Sequence, residues 1–175
     1  MAEDVPVQTV PQVDLPRYLG LWYEICRLPM KWEDEAASDI TAHYTLQPDG
    51  KVTVDNRCID AEGKPARAVG VAEAVDDSNA KLAVSFLPAG LRWLPFTKAD
   101  YWVLMLDDDY RIALVGSPDR KYLWLLSRTP QLSPDDRAPF LDHARRMGFD
   151  LAPLITPQQS GGQVTDAMLE LEAHA

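Results

Sequence analysis

Between Gly20 and Arg128 apolar and polar residues alternate in short runs, and each run ends in turn-forming residues. Lys51 to Cys58 shows the pattern most clearly. Val52, Val54 and Asn56 alternate with Thr53, Asp55 and Arg57, the period of a strand with one buried face. Runs of the same kind cover 20–28, 40–46, 66–75, 81–86, 100–106, 110–116 and 122–128. Gln47-Pro48-Asp49-Gly50 is a turn in which Pro presets φ and Gly takes the positive φ. Asp76-Asp77-Ser78-Asn79, Asp107-Asp108-Asp109 and Ser117-Pro118-Asp119-Arg120 separate later strands, and 60–65 is a loop. Consecutive strands with short connections predict an all-β, eight-stranded antiparallel up-and-down barrel. Two connections are long, 29–39 and 87–99.

After Arg128 the period changes. Ser133 suits an N-cap, Pro134 the first helical position, and Asp135-Asp136 the positive end of the helix dipole. Phe140, Leu141, Ala144 and Met147 recur at helical spacing, and Gly148 ends the run. This helix has one apolar face and is expected to pack outside the barrel. Leu154-Ile155-Thr156 is read as an edge strand, and 165–173 as a short terminal helix. The domain expectation is a flexible arm over 1–14, the barrel domain over 15–157 and a flexible tail over 158–175.

Hydrophobic residues make up 46% of the chain, enough for one core. The formal net charge is −10, which excludes the basic footprint that nucleic acid requires and disfavours electrostatic docking on anionic lipid. Cys26 and Cys58 are too few for a disulfide scaffold and leave one bridge or none. No apolar run reaches the roughly 18 residues of a spanning helix. Met1 to Leu15 contains Pro6 and Pro11 and no apolar leader segment. The expectation is a cytoplasmic protein as the sequence is written, or a cell-envelope protein if a leader has been removed.

Gly20-Leu21-Trp22 opens the first strand and Arg128 closes the last. A meander places these two at the same end, so the guanidinium can lie across the indole and seal a barrel floor. The first, third, fifth and seventh connections then lie at the open mouth. Leu19-Gly20-Leu21-Trp22-Tyr23-Glu24-Ile25, Asp108-Asp109-Tyr110 and Ser127-Arg128-Thr129-Pro130 resemble the three sequence motifs of the lipocalin family. The resemblance runs from about Val13 to Ile155. It points to the bacterial outer-membrane lipocalins, the plant temperature-induced lipocalins and apolipoprotein D. Tyr44-Thr45-Leu46 and the run from Gly116 to Trp124 strengthen that subgroup. The bacterial members carry a lipoprotein leader with a Cys anchor, which is not seen in this sequence.

The resemblance implies a non-catalytic binder, store or carrier of a hydrophobic or amphiphilic small molecule, with a fatty acid or lysophospholipid as the expected ligand. Alternation from Trp22 gives Glu24 and Cys26 to the lumen. Tyr44, Val54, Asn56, Val69, Val71, Val84, Phe86, Trp102, Leu104 and Trp124 are the further lumen candidates. The connection Leu87 to Phe96 is unusually apolar. With Trp93, Phe96 and, opposite, Trp32, it is read as an apolar lip or as a satellite core. A lip would meet an acyl chain, a membrane surface or a second copy of the chain in a homodimer. Arg92, Lys98 and Arg120 are candidates for an anionic head group at the mouth, against the alternative of solvated surface charge.

Two rival functions use other residues. A lumenal thiol, Cys26 or Cys58, activated by a base such as His43, would make a lipid-modifying enzyme. A permissive lumen would also take haem or another tetrapyrrole. No metal site is expected. Asp107-Asp108-Asp109 reads as a hairpin tip, and His43, His143 and His174 lack ligand spacing with the cysteines. No resident cofactor is expected.

Overall fold

Every strand pairs with its sequence neighbours and the last pairs back to the first, so the sheet closes into a barrel. The computed structural model describes residues 5–30, 35–86 and 98–175. Its strands are β1 Gly20–Arg27, β2 Ser38–Leu46, β3 Val52–Ile59, β4 Pro65–Ala74, β5 Lys81–Ser85, β6 Ala99–Leu106, β7 Ile112–Gly116 and β8 Leu123–Ser127. All pairings are antiparallel. The helices are α1 Leu15–Tyr18, α2 Pro134–Arg146 and α3 Asp166–Ala173. The fold expected from the alternation is therefore the fold observed, with one turn of helix, α1, added before β1.

The barrel wall separates two cores. Inside lie Trp22, Tyr44, Val52, Val54, Ala72, Leu82, Val84, Val103, Ala113, Val115 and Leu126. Outside, Tyr23, Ile25, Cys26, Leu104, Leu114, Leu123 and Leu125 pack with Phe140 and Ala144 of α2 and with Met147, its C-cap. The Ser133 hydroxyl caps α2 by accepting from the Asp136 amide at 3.1 Å. At its other end Gly148 takes φ +87°, and a Cβ there would lie 3.0 Å from Arg120 Nε. Only glycine allows that approach, and Arg120 Nε uses it to donate to the Met147 carbonyl at 2.7 Å.

Three register shifts interrupt the alternation. They lie between Glu24 and Cys26 where β1 meets β8, between Ser38 and Thr41 where β2 meets β3, and between Val103 and Met105 where β6 meets β7. Each inserts a residue and reverses which face later residues occupy.

Both chain ends described are tied to the barrel. Val13 is fully buried, and its amide donates to the Ser78 carbonyl at 2.8 Å. The Val10 amide donates to the Val103 carbonyl at 3.0 Å, along the stretch of β6 that extends past its pairing with β5. Where an edge strand is expected over 154–156, Ile155 forms a single isolated antiparallel bridge with Arg27. Beyond the β1–β2 pairing, the Gln159 amide donates to the carbonyls of Glu24 (2.8 Å) and Ile40 (2.9 Å), joining the two strands where they part. Arg57 of β3 holds Asp166 of α3 at 2.6 Å.

Candidate functional site

The floor is built around one cation. The Arg128 guanidinium carbon lies 3.8 Å from the Trp22 ring centroid. Its nitrogens donate to the carbonyls of Arg17, Tyr18, Leu19, Leu21 and Tyr110 at 2.8–3.2 Å. The planar fork of arginine serves many carbonyls at once, which an ammonium does not. Gly20 beside Arg128 takes φ +97°, the left-handed region that favours glycine. Trp22 has no exposed surface, and its indole N–H donates to the Tyr18 carbonyl at 2.8 Å. The Asp107 carboxylate accepts from the Arg111 and Ile112 amides. That acidic run is a hairpin tip, and no metal-binding cluster occurs among the described residues.

Above the floor the lumen is solid. The Tyr101 hydroxyl shares hydrogen bonds with Tyr18 (2.6 Å) and Tyr44 (2.9 Å); the Tyr18 ring packs against Trp22 and Tyr44, and Tyr44 meets Tyr101 edge-on. Burial pushes the Tyr44 phenol up to about 12 and holds Tyr18 and Tyr101 well above the ordinary range, so all three are neutral donors and acceptors. Between Leu15, Tyr18, Tyr44, Val54, Leu82 and Tyr101 remains a void of about 10 Å³. That is room for at most one water.

Higher up the same strands the wall changes character. Along β3 the inward face passes from buried Val52 and Val54 to half-buried Asn56 and Cys58. Along β4 it passes from buried Ala72 and Gly70 to exposed Ala68 and half-buried Ala66. On β2 it passes from buried Tyr44 to half-buried Ala42. Registers Ala42↔Asn56 and Asn56↔Ala68 put these small residues side by side. Inward positions that keep accessible surface line a hollow, and this hollow lies over the packed base. The Phe86 ring lies against Gly70, where a Cβ would be 2.8 Å from Phe86 Cδ1. Trp124 is partly buried against the inner core and stacks with Tyr122 at 6.2 Å.

The registers sort the expected lumen residues. Trp22, Glu24, Tyr44, Val54, Asn56, Val84, Phe86 and Trp124 stand at inward positions. Cys26 does not. The β1 bulge pairs it with outward Leu125 and places it in the core under α2, and Arg27, paired with Trp124, takes the inward position. Trp102 and Leu104 also face outward, because Trp102 pairs with Lys81 and Leu104 falls in the β6 bulge; Tyr101 and Val103 face in. Lys81 Nζ sits 4.5 Å from the Trp102 ring centroid on that outer face. Val69 and Val71 face outward as well, with Val69 39% exposed, since inward Val54 and Val52 pair with Gly70 and Ala72. Trp32, Trp93, Phe96 and Arg92 lie outside the described residues. Of the head-group candidates, Lys98 pairs with Glu73 at 3.4 Å and Arg120 is committed to the end of α2.

Sequence reasoning missed Arg27, Tyr101, Ala66 and Ala68. Arg27 Nη1 meets Glu24 Oε2 at 3.0 Å, and both side chains are buried. No alternation count finds Arg27, because the bulge shifts it by one place. The small residues of β4 carry a usable signal: Ala66, Ala68, Gly70 and Ala72 occupy one parity opposite Arg67, Val69 and Val71. Space, rather than apolarity, marks a lumen face there.

Cys26 and Cys58 are not joined in a disulfide. Burial pushes Cys26 up to about 12, and the neighbouring Glu24 carboxylate adds to this against the pull of Arg137. His43 faces outward, paired with Leu21 and Asp55, with its Nδ1 3.4 Å from the Thr45 hydroxyl. It activates neither cysteine from that place.

A closed eight-stranded meander with a cation-sealed floor and an accessible upper hollow is a barrel of the small-molecule-binding type. The chain belongs to the lipocalin family, whose members bind small hydrophobic ligands: the lipocalin-like domain model matches residues 13–159. It is 38% identical to temperature-induced lipocalin-1 of Arabidopsis thaliana over 163 residues, covering 91% of this chain and 87% of that one. It is 40% identical to the outer membrane lipoprotein Blc of Escherichia coli K12 over 157 residues, covering 89% and 84%. Insecticyanin from the tobacco hornworm Manduca sexta shares the fold with a TM-score of 0.65 at 20% identity, covering 95% and 88%.

Proposed function

We propose that this protein is a non-catalytic carrier that holds a fatty acid or lysophospholipid in the upper half of its barrel. The observation that carries the reading is the change on β3 and β4 from buried Val54 and Ala72 to accessible Asn56 and Ala68 on the same inward face. The packed base supports a shallow site, with the ligand resting above the tyrosine trio. Each acyl methylene buried there contributes about 0.8 kcal/mol before the costs of association. The outward position and high pKa of Cys26 support a binding role over thiol catalysis. A fluorescent fatty acid titrated into the protein is expected to saturate while quenching tryptophan emission, since Trp124 borders the hollow. Absence of saturable binding by fatty acids and lysophospholipids alike would overturn the reading.

A further inference from the structure

We infer that Asn56 determines ligand specificity by hydrogen-bonding an uncharged oxygen function, a hydroxyl or ester, of the molecule held in the hollow. The inference rests on the carrier reading and adds to it the chemistry that the lumen selects. Asn56 faces inward from the middle of β3, one inward step above the buried Val54, with Ala42 and Ala68 as its register partners. Those alanines offer no polar atom. The side chains of Asn56's polar outward neighbours are already used: Asp55 accepts from Arg57 and Arg67 at 2.9–3.2 Å. The Asn56 amide enters no side-chain hydrogen bond with the described residues, although it is half-buried. It therefore presents one acceptor and two donors to the hollow.

The charge of the surroundings decides which oxygen it takes. A carboxylate leaving water needs a cation or several donors, whereas an alcohol or ester oxygen needs one good partner. Among the described residues, no lysine or arginine joins Asn56, Ala42, Ala66 and Ala68 on the accessible inner face. Arg27 faces inward, but it has no exposed surface and is held by Glu24. Lys98 and Arg120 are engaged on the outside. A neutral amide with no free cation beside it among the described residues matches a neutral oxygen better than a carboxylate. The apolar rings of Trp124 and Phe86 receive the hydrocarbon part.

Displacement of a bound fluorescent fatty acid by 1-dodecanol, dodecanoate and 1-dodecene, measured at pH 8 on the wild-type protein and on Asn56→Leu, tests this. Wild type is expected to bind 1-dodecanol about tenfold more tightly than dodecanoate. Asn56→Leu is expected to weaken 1-dodecanol about tenfold while leaving 1-dodecene unchanged or tighter. Asn56→Ser, which keeps a hydroxyl, is expected to fall between them, and it replaces the leucine variant should that one fail to give a native melt. Equal affinity of wild type and both variants for 1-dodecanol would overturn the role of Asn56 and leave the carrier reading standing. Failure of wild type to bind the fluorescent acid or any of the three competitors would overturn both.

Discussion

Arg128 lies flat over Trp22, 3.8 Å from guanidinium carbon to ring centroid, while its nitrogens satisfy five backbone carbonyls from the turn before β1, from β1 itself and from the β6–β7 hairpin. One side chain thus joins the two ends of the barrel strands to their floor. Trp22→Ala is expected to lose about 3–5 kcal/mol by opening a cavity. Arg128→Lys is expected to lose about 2–3 kcal/mol, because an ammonium keeps the charge but leaves carbonyls unserved. Chemical denaturation followed by circular dichroism measures both. Wild-type midpoints would mean that the floor does not hold the barrel closed.

The boundary between packed base and hollow sets apart two substitutions on adjacent inward positions of β4. At Gly70 a Cβ would meet the Ser85 carbonyl oxygen at 2.7 Å and the Phe86 ring at 2.8 Å, so Gly70→Ala is expected to cost about 1–3 kcal/mol. Ala68 faces accessible space. Ala68→Val is expected to change stability by no more than about 0.5 kcal/mol while weakening fatty-acid binding several-fold. A reversed order of the two stabilities would place the hollow elsewhere.

Gln159 joins β1 and β2 through the carbonyls of Glu24 and Ile40 at a level where the strands no longer pair. Gln159→Ala is expected to cost about 1–3 kcal/mol, since it strips the donor from two carbonyls in the wall. Thermal melts of the variant, compared with the exposed control Gln8→Ala, give the difference. Equal melts would show that the strap is dispensable.

The buried phenols make the fold sensitive to alkali. Tyr44 keeps its proton to about pH 12 in the native state, and Tyr18 and Tyr101 are likewise raised by burial. In the unfolded chain these phenols ionise near their ordinary value of about 10. Between those values the unfolded state sheds protons that the native state retains, so stability falls as pH rises. Absorbance at 295 nm should therefore show three of the six tyrosines ionising only as the protein unfolds. Smooth titration of all six below pH 11 in folded protein would contradict the tyrosine trio.

The two thiols are expected to differ in rate. Cys26 is buried under α2 with its thiol raised to about 12, whereas Cys58 stands half-buried on the inner face. An aromatic disulfide reagent at pH 8 should label Cys58 first in native protein and reach Cys26 only in denaturant. Peptide mapping that finds Cys26 labelled first would reverse the β1 assignment.

Much of this molecule was legible as sequence. The number and order of strands, the capped helix after β8, the turn at Asp107 and the pairing of Trp22 with Arg128 follow from alternation, turn chemistry and the geometry of a meander. These are local rules, and the backbone obeys them locally. The lumen was legible only where alternation ran unbroken. On β3 the count from Val52 to Asn56 holds to the end. On β1 and β6 it fails beyond a bulge, which is why Arg27 stands at the inward place expected for Cys26, and why Leu104 packs outside. On β4 bulk points to the valines as lumen residues, although the inward positions hold alanine and glycine.

What the chain alone determined was the closed meander and the residues that seal its floor, because each strand's period and each turn's chemistry are written in neighbouring residues. Tertiary structure decided where the barrel is solid and where it is hollow. That depends on side chains from all eight strands competing for one interior: three tyrosines and a ring of valines and leucines fill the base, while Ala42, Ala66 and Ala68 leave space above it. It also depends on the three register shifts, whose positions are set by how strands register against one another rather than by any residue within them.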